Sequence, residues 1–90
     1  TTPVEFALLQ NYPNPFNPTT EIRYQTPEVS HVVLKVYDML GREVATLVEG
    51  IQDVGFKSVK FDGSGLASGV YFYQLITADL LATKRMLIIK

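Results

Sequence analysis

Hydrophobic and polar residues alternate along most of this chain with a period of two. Thr20, Ile22 and Tyr24 alternate with Glu21, Arg23 and Gln25, the pattern of a strand with one wet face. Val32, Leu34 and Val36 alternate with His31, Val33, Lys35 and Tyr37. The run Asp38-Met39-Leu40-Gly41 then breaks the pattern, and Arg42 to Val48 reads as a strand returning from a hairpin, with Gly41 supplying a positive φ. Val44 and Leu47 stand three apart in that strand, which predicts a bulge. Gly50 and Gly55 bracket the next expected loop, and Lys57, Val59 and Phe61 alternate with Ser58 and Lys60. Val70 to Ile76 and Thr83 to Ile89 are the most apolar strands and are rich in β-branched and aromatic residues. With a short first strand over Phe6 to Leu9, the pattern predicts about seven strands. The one stretch with a hint of a helical stripe, Arg42 to Gly50, is too short to hold a helix. The predicted fold class is all-β, a seven-stranded immunoglobulin-like antiparallel sandwich, without the cysteine pair and tryptophan of antibody domains.

Composition narrows this further. Ninety residues make one domain, expected to span 1–90, and a chain of this length buries about 60% of its unfolded surface. With 47% hydrophobic and 19% charged residues the chain is too apolar for a disordered tail. A net charge of −1 supplies no field to attract nucleic acid or an anionic membrane. There is no cysteine, no run of membrane-spanning length, and no apolar leader at Thr1; Thr1-Thr2-Pro3 reads as linker-like.

Two loops stand out. Asn11-Tyr12-Pro13-Asn14-Pro15-Phe16-Asn17-Pro18 carries three prolines, which fix φ and push Tyr12, Asn14 and Asn17 toward extended geometry. The expected result is a stiff connector in which Asn14 and Asn17 fold their amides onto nearby backbone, and Tyr12 and Phe16 pin it to the sandwich. The other reading of Tyr12, Pro13, Asn14, Pro15, Phe16, Asn17 and Pro18 is a docking loop. Asn17-Pro18-Thr19 is no glycosylation acceptor, because proline holds its middle position. The second loop, Asp62 to Gly69, has three glycines. Its spacing fits neither a phosphate loop nor a nucleophile elbow, and it has too few carboxylates for calcium. It reads as a crossing between sheets.

Catalysis is tested by inventory. His31 is the only histidine and stands at an exposed strand start, so no Cys–His dyad or histidine-based zinc site can be assembled. No serine has the context of a nucleophile, and the pairs Glu21 with Glu28 and Asp38 with Glu43 carry no spacing signal. The reading is a non-enzyme with no metal, cofactor or small-molecule substrate.

Four stretches then carry a resemblance. Phe6 to Thr20, through Asn11-Tyr12-Pro13-Asn14-Pro15-Phe16-Asn17-Pro18, resembles the opening of the C-terminal sorting domains of the type IX secretion system. Val36-Tyr37-Asp38-Met39-Leu40-Gly41-Arg42-Glu43-Val44 is similar to their central hairpin, Leu66 to Leu75 to their penultimate strand, and Thr83 to Lys90 to their final strand. The resemblance runs in order over nearly the whole chain. It implies a delivery module, joined to an N-terminal passenger, that is handed to an outer-membrane translocon after transient passage through the periplasm. It further implies secretion or cell-surface attachment, a surface protease that removes the domain, and a Bacteroidetes-like host. Carried over by motif, translocon recognition falls on Gly69 and Tyr71 and on Lys84, Arg85 and Lys90, with Arg85 where the family often has lysine. Each also has a purely structural reading. Gly69 is a positive-φ strand entry, Tyr71 a tyrosine corner, and Lys84 and Lys90 are guards of a strand edge. Strand addition at an apolar final edge is one expected mode of capture. Two other functions remain open. The chain more distantly resembles the immunoglobulin-like module of flagellar hook-capping proteins. A cell-attachment or carbohydrate-binding module would use Tyr37, Tyr71 and Tyr73 as an aromatic platform.

Overall fold

A computed structural model describes residues 2–90, so the start of the linker-like run, Thr1, lies outside the described residues. Seven strands form: β1 (Ala7–Leu8), β2 (Thr19–Thr26), β3 (Ser30–Tyr37), β4 (Glu43–Gln52), β5 (Gly55–Asp62), β6 (Gly69–Ile76) and β7 (Leu81–Ile88). They make two antiparallel sheets, one ordered β1-β2-β5 and the other β4-β3-β6-β7. This is an immunoglobulin-like sandwich. Each alternating run sends its apolar set inward. Ile22 and Tyr24 share the buried cluster with Val32, Leu34 and Val36, and Leu8, Phe16, Phe61, Tyr71, Tyr73, Leu75, Met86 and Ile88 complete it.

The β3–β4 hairpin forms as the sequence predicts. Gly41 holds φ at 82°, and the Gly41 N–H donates to the Asp38 carbonyl at 3.0 Å. The Asp38 carboxylate closes the turn by accepting from the Leu40 and Arg42 amides at 2.9 and 3.0 Å and from Arg42 Nε at 2.9 Å. Those bonds, first the Arg42 amide, hold its pKa below the ordinary carboxylate value. The expected irregularity is a pair of register shifts, between Leu34 and Lys35 and between Val36 and Tyr37, which leave Leu47 and Val44 without direct partners. The extra residues re-aim the strand so that Val44, Ala45, Leu47 and Val48 all reach the core margin.

Several boundaries differ from the sequence reading: β1 is only Ala7–Leu8, β7 starts earlier at Leu81 and stops at Ile88, and the end of β4 moves furthest. β4 does not stop near Val48: it runs through Gly50, paired with Val32, to Gln52, paired with Ser30. The first half of β3 supplies ladder partners that override the local preference of glycine. The link between the sheets is therefore only Asp53-Val54, fastened where the Thr26 hydroxyl donates to the Asp53 carbonyl at 2.7 Å. Asp62 to Gly69 crosses between sheets as expected. There the Gly63 N–H donates to the Pro18 carbonyl at 2.8 Å, and Asp62 Oδ1 accepts from the Ser64 amide.

Candidate functional site

The proline-rich segment and the last two strands meet along one side of the sandwich. Phe16 is the anchor, 1% exposed, with its ring edge-on to Phe61 at a centroid distance of 6.1 Å. Tyr12, expected to be a second pin, is 74% exposed. Its backbone alone is used, exchanging bonds of 3.0 and 2.9 Å with Glu21. The actual second pin is Asn11, 2% exposed, three residues before the next asparagine. Its amide nitrogen donates to Thr20 Oγ1 at 3.0 Å and to the Pro13 carbonyl at 3.2 Å, while the Thr20 hydroxyl donates to that same carbonyl at 2.8 Å. The Asn11 backbone N–H donates to the Tyr73 hydroxyl at 2.7 Å, and that hydroxyl donates to the Leu9 carbonyl at 2.7 Å. Tyr73 is fully buried, and burial pushes its pKa up to about 12 against the opposing pull of the Asn11 N–H. A tyrosine in an apolar strand signals a buried polar handle that needs a partner. Sequence spacing does not say which, because the partners lie more than sixty residues away.

The same segment seals the edge of β7. Gln10 Nε2 donates to the Arg85 carbonyl at 2.7 Å. Asn14 Oδ1 accepts from the Leu87 N–H at 3.0 Å, where the sequence reading turned that amide onto nearby backbone. The Phe16 N–H donates to the Leu87 carbonyl, and the Ile89 N–H donates to the Phe16 carbonyl, both at 3.0 Å. Phe16 thus runs parallel to Ile88 as an eighth, one-residue rung. Pro13, Pro15 and Pro18 have no N–H, so the covering segment offers little for a further strand to pair with. Strand addition at this part of β7 is therefore blocked in the folded domain.

The five residues carried over by motif do not share a face. Gly69 opens β6 at φ 149° with open space where a Cβ would stand, so its role there is conformational. Tyr71 is buried and its hydroxyl donates to the Ala67 carbonyl at 2.8 Å, a tyrosine corner. Lys84 and Arg85 are consecutive in a strand and so point to opposite faces. Lys84 lies on the inward side opposite Tyr73, half-buried; Arg85 lies on the outer face opposite Phe72, exposed. Lys90 Nζ donates to the Ser64 carbonyl at 2.7 Å, tying the tail to the glycine-rich loop. The aromatic platform fails on the same alternation: Tyr71 and Tyr73 are in the core and Tyr37 is on the outer face.

Around Arg85 the outer face is shaped. One hollow of about 340 Å³ lies between Pro15 and the Val70–Leu87 pair. A second, about 280 Å³, shares Val70 with it and reaches the hairpin tip, and a third, about 360 Å³, shares Asp38 and Met39 with the second and is lined by Tyr37 and Phe72. Met39 and Leu40 project from that tip, 69% and 78% exposed. Among the described residues no group of three His, Cys, Asp or Glu side chains is placed to hold a metal ion.

The class of molecule is thus a small immunoglobulin-like module whose notable surface is the pairing of its first and last segments. The family profile described as secretion system C-terminal sorting domain matches residues 10–90. The chain belongs to that family, and its role is the non-catalytic one of a sorting domain for secretion. No curated protein and no solved structure matches it.

Proposed function

We propose that residues 1–90 form a single C-terminal sorting domain that carries an N-terminal passenger to the type IX outer-membrane translocon. The passenger then reaches the medium or the cell surface, and a surface protease removes the domain. The observation that carries this reading is the family match over residues 10–90, which takes in all of β2 to β7 and the proline-rich segment. Recognition centres on the β6–β7 pair. Arg85 is the group read directly. Gly69, Tyr71 and Lys90 set the shape of the pair, through the strand entry, the bond to Ala67 and the bond to Ser64. Lys84, a half-buried charge on the inward side of an outermost strand, discourages misplaced pairing. The proline-rich segment from Tyr12 to Pro18 serves recognition by covering the β7 edge, which steers a partner to the outer face.

The test is to reverse the two charges one at a time, Lys84→Glu and Arg85→Glu, in a secreted passenger fusion. The host needs a working type IX translocon, and circular dichroism checks the fold. Arg85→Glu is expected to strand the passenger in the periplasm, and Lys84→Glu to leave most export intact. Full export of Arg85→Glu would remove that residue from the site.

A further inference from the structure

We infer that the hollowed outer face around Val70 and Phe72 is a docking surface for a partner segment that places an apolar side chain beside a carboxylate. The inference rests on the sorting reading and assigns the occupant to the outer-membrane machinery. Three observations carry it.

The first is that backbone capture at the lower half of β7 is closed. The Arg85 carbonyl, the Leu87 N–H and carbonyl and the Ile89 N–H are all engaged by residues 10–16. A partner meeting this side must therefore read side chains. The second is the shape and polarity of the face. The first hollow, lined by Pro15, Val70 and Leu87 beside Arg85, meets the second at Val70, and the second meets the third at Asp38 and Met39, so the first is the most apolar and Asp38 marks the far end of the face. The third is charge. Among the described residues the ion pairs are Lys35 with Glu43 and Arg42 with Asp38. Both carboxylates at this end of the sheet are thus engaged, while Arg85 stands exposed at the rim of the first hollow without a carboxylate partner. A guanidinium presents a planar fork that accepts a carboxylate in two parallel bonds. The combination fits an acidic residue flanked by an apolar one.

A titration of the isotope-labelled 90-residue chain with 1-anilinonaphthalene-8-sulfonate, an apolar anion, tests the surface. The uncharged N-phenyl-1-naphthylamine is the control. The amides of Val70, Phe72 and Leu87 are expected to shift. Arg85→Gln is expected to weaken the anion at least fivefold and to leave the uncharged probe unchanged. Shifts confined to the Ile51 and Leu81 end of the sheet, or equal loss of both probes, would overturn the assignment. So would self-association that disappears in Val70→Ser, which would make a second copy the occupant. The same Val70→Ser and Arg85→Glu chains, fused to a passenger and shown to be folded, are then expected to lose export at least tenfold. Export at the level of the unaltered domain would overturn the translocon as occupant. Failure of the unaltered domain to export would instead strike the sorting reading, while the probe titration still decides the surface.

Discussion

At the scale of the residue, Tyr73 ties β6 to the segment that follows β1 through one hydroxyl. Removing that oxygen leaves the Asn11 N–H and the Leu9 carbonyl without their partner. Tyr73→Phe is therefore expected to cost about 1–3 kcal/mol by urea unfolding. The same residue sets an alkaline limit. A phenol whose folded pKa lies above its ordinary 10.0, at about 12, contributes stability that is complete below pH 10 and is lost as pH rises through 12. Tyr24, raised by burial in the same direction, adds to that loss. Thermal melts at increasing pH are expected to show a shallower alkaline decline in Tyr73→Phe than in the unaltered chain; parallel declines would contradict the assignment. Gly63 is the second sensitive residue. A Cβ there would stand 2.9 Å from Ile88 Cδ1 and 3.4 Å from Phe16 Cε2, both side chains being fully buried or nearly so. With no free volume to retreat into, Gly63→Ala is expected to lower stability by about 1–3 kcal/mol, measured by denaturant midpoint. The sequence located Phe16 as an anchor because a phenylalanine between prolines has few other uses. It did not locate Asn11, because a buried asparagine is defined by partners that only the folded chain brings near.

At the scale of the element, what was legible followed the period of two. β2, β3, β5 and β6 lie where alternation placed them, and the three-residue gap between Val44 and Leu47 announced the irregular register of β4. The end of β4 was not legible. Gly50 looks like punctuation in one dimension, and only pairing with Val32 keeps it in the sheet. The β3–β4 turn makes its own prediction. Asp38 accepts three bonds in the turn, and its depressed pKa means that their contribution is present above the ordinary value of 3.8 and is lost as pH falls through the lower folded value. Amide shifts of Leu40 and Arg42 are expected to titrate together with a midpoint below 3.8, the ordinary value for this group. A midpoint at or above that value would mean that the carboxylate does not close the turn.

At the scale of the whole molecule, two sheets of three and four strands leave four outermost strands, and each is treated differently. β7 is covered from Arg85 onward by residues 10–16, and β1 lies beside it on that same side. β4 is kinked by its two register shifts, and β5 carries Lys57 on its inward side. Irregular register and inward-pointing charge both deter sheet-to-sheet pairing, a hazard for any β-domain that waits in a crowded compartment. The family was readable from four stretches of sequence, and the non-catalytic role follows from that family. The face proposed for recognition was not. Sequence placed Lys84 and Arg85 side by side, whereas the pleat sends them to opposite faces and leaves Arg85 on the outer one.

The measurement that bears most directly on the account is transfer of sorting to an unrelated cargo. A fluorescent reporter with an N-terminal export signal is fused ahead of residues 1–90 and expressed in a bacterium with a working type IX translocon known to accept sorting domains of this family. The reporter is expected in the medium or on the cell surface, and in the periplasm of a translocon mutant. A folded fusion held in the periplasm of both strains would contradict it.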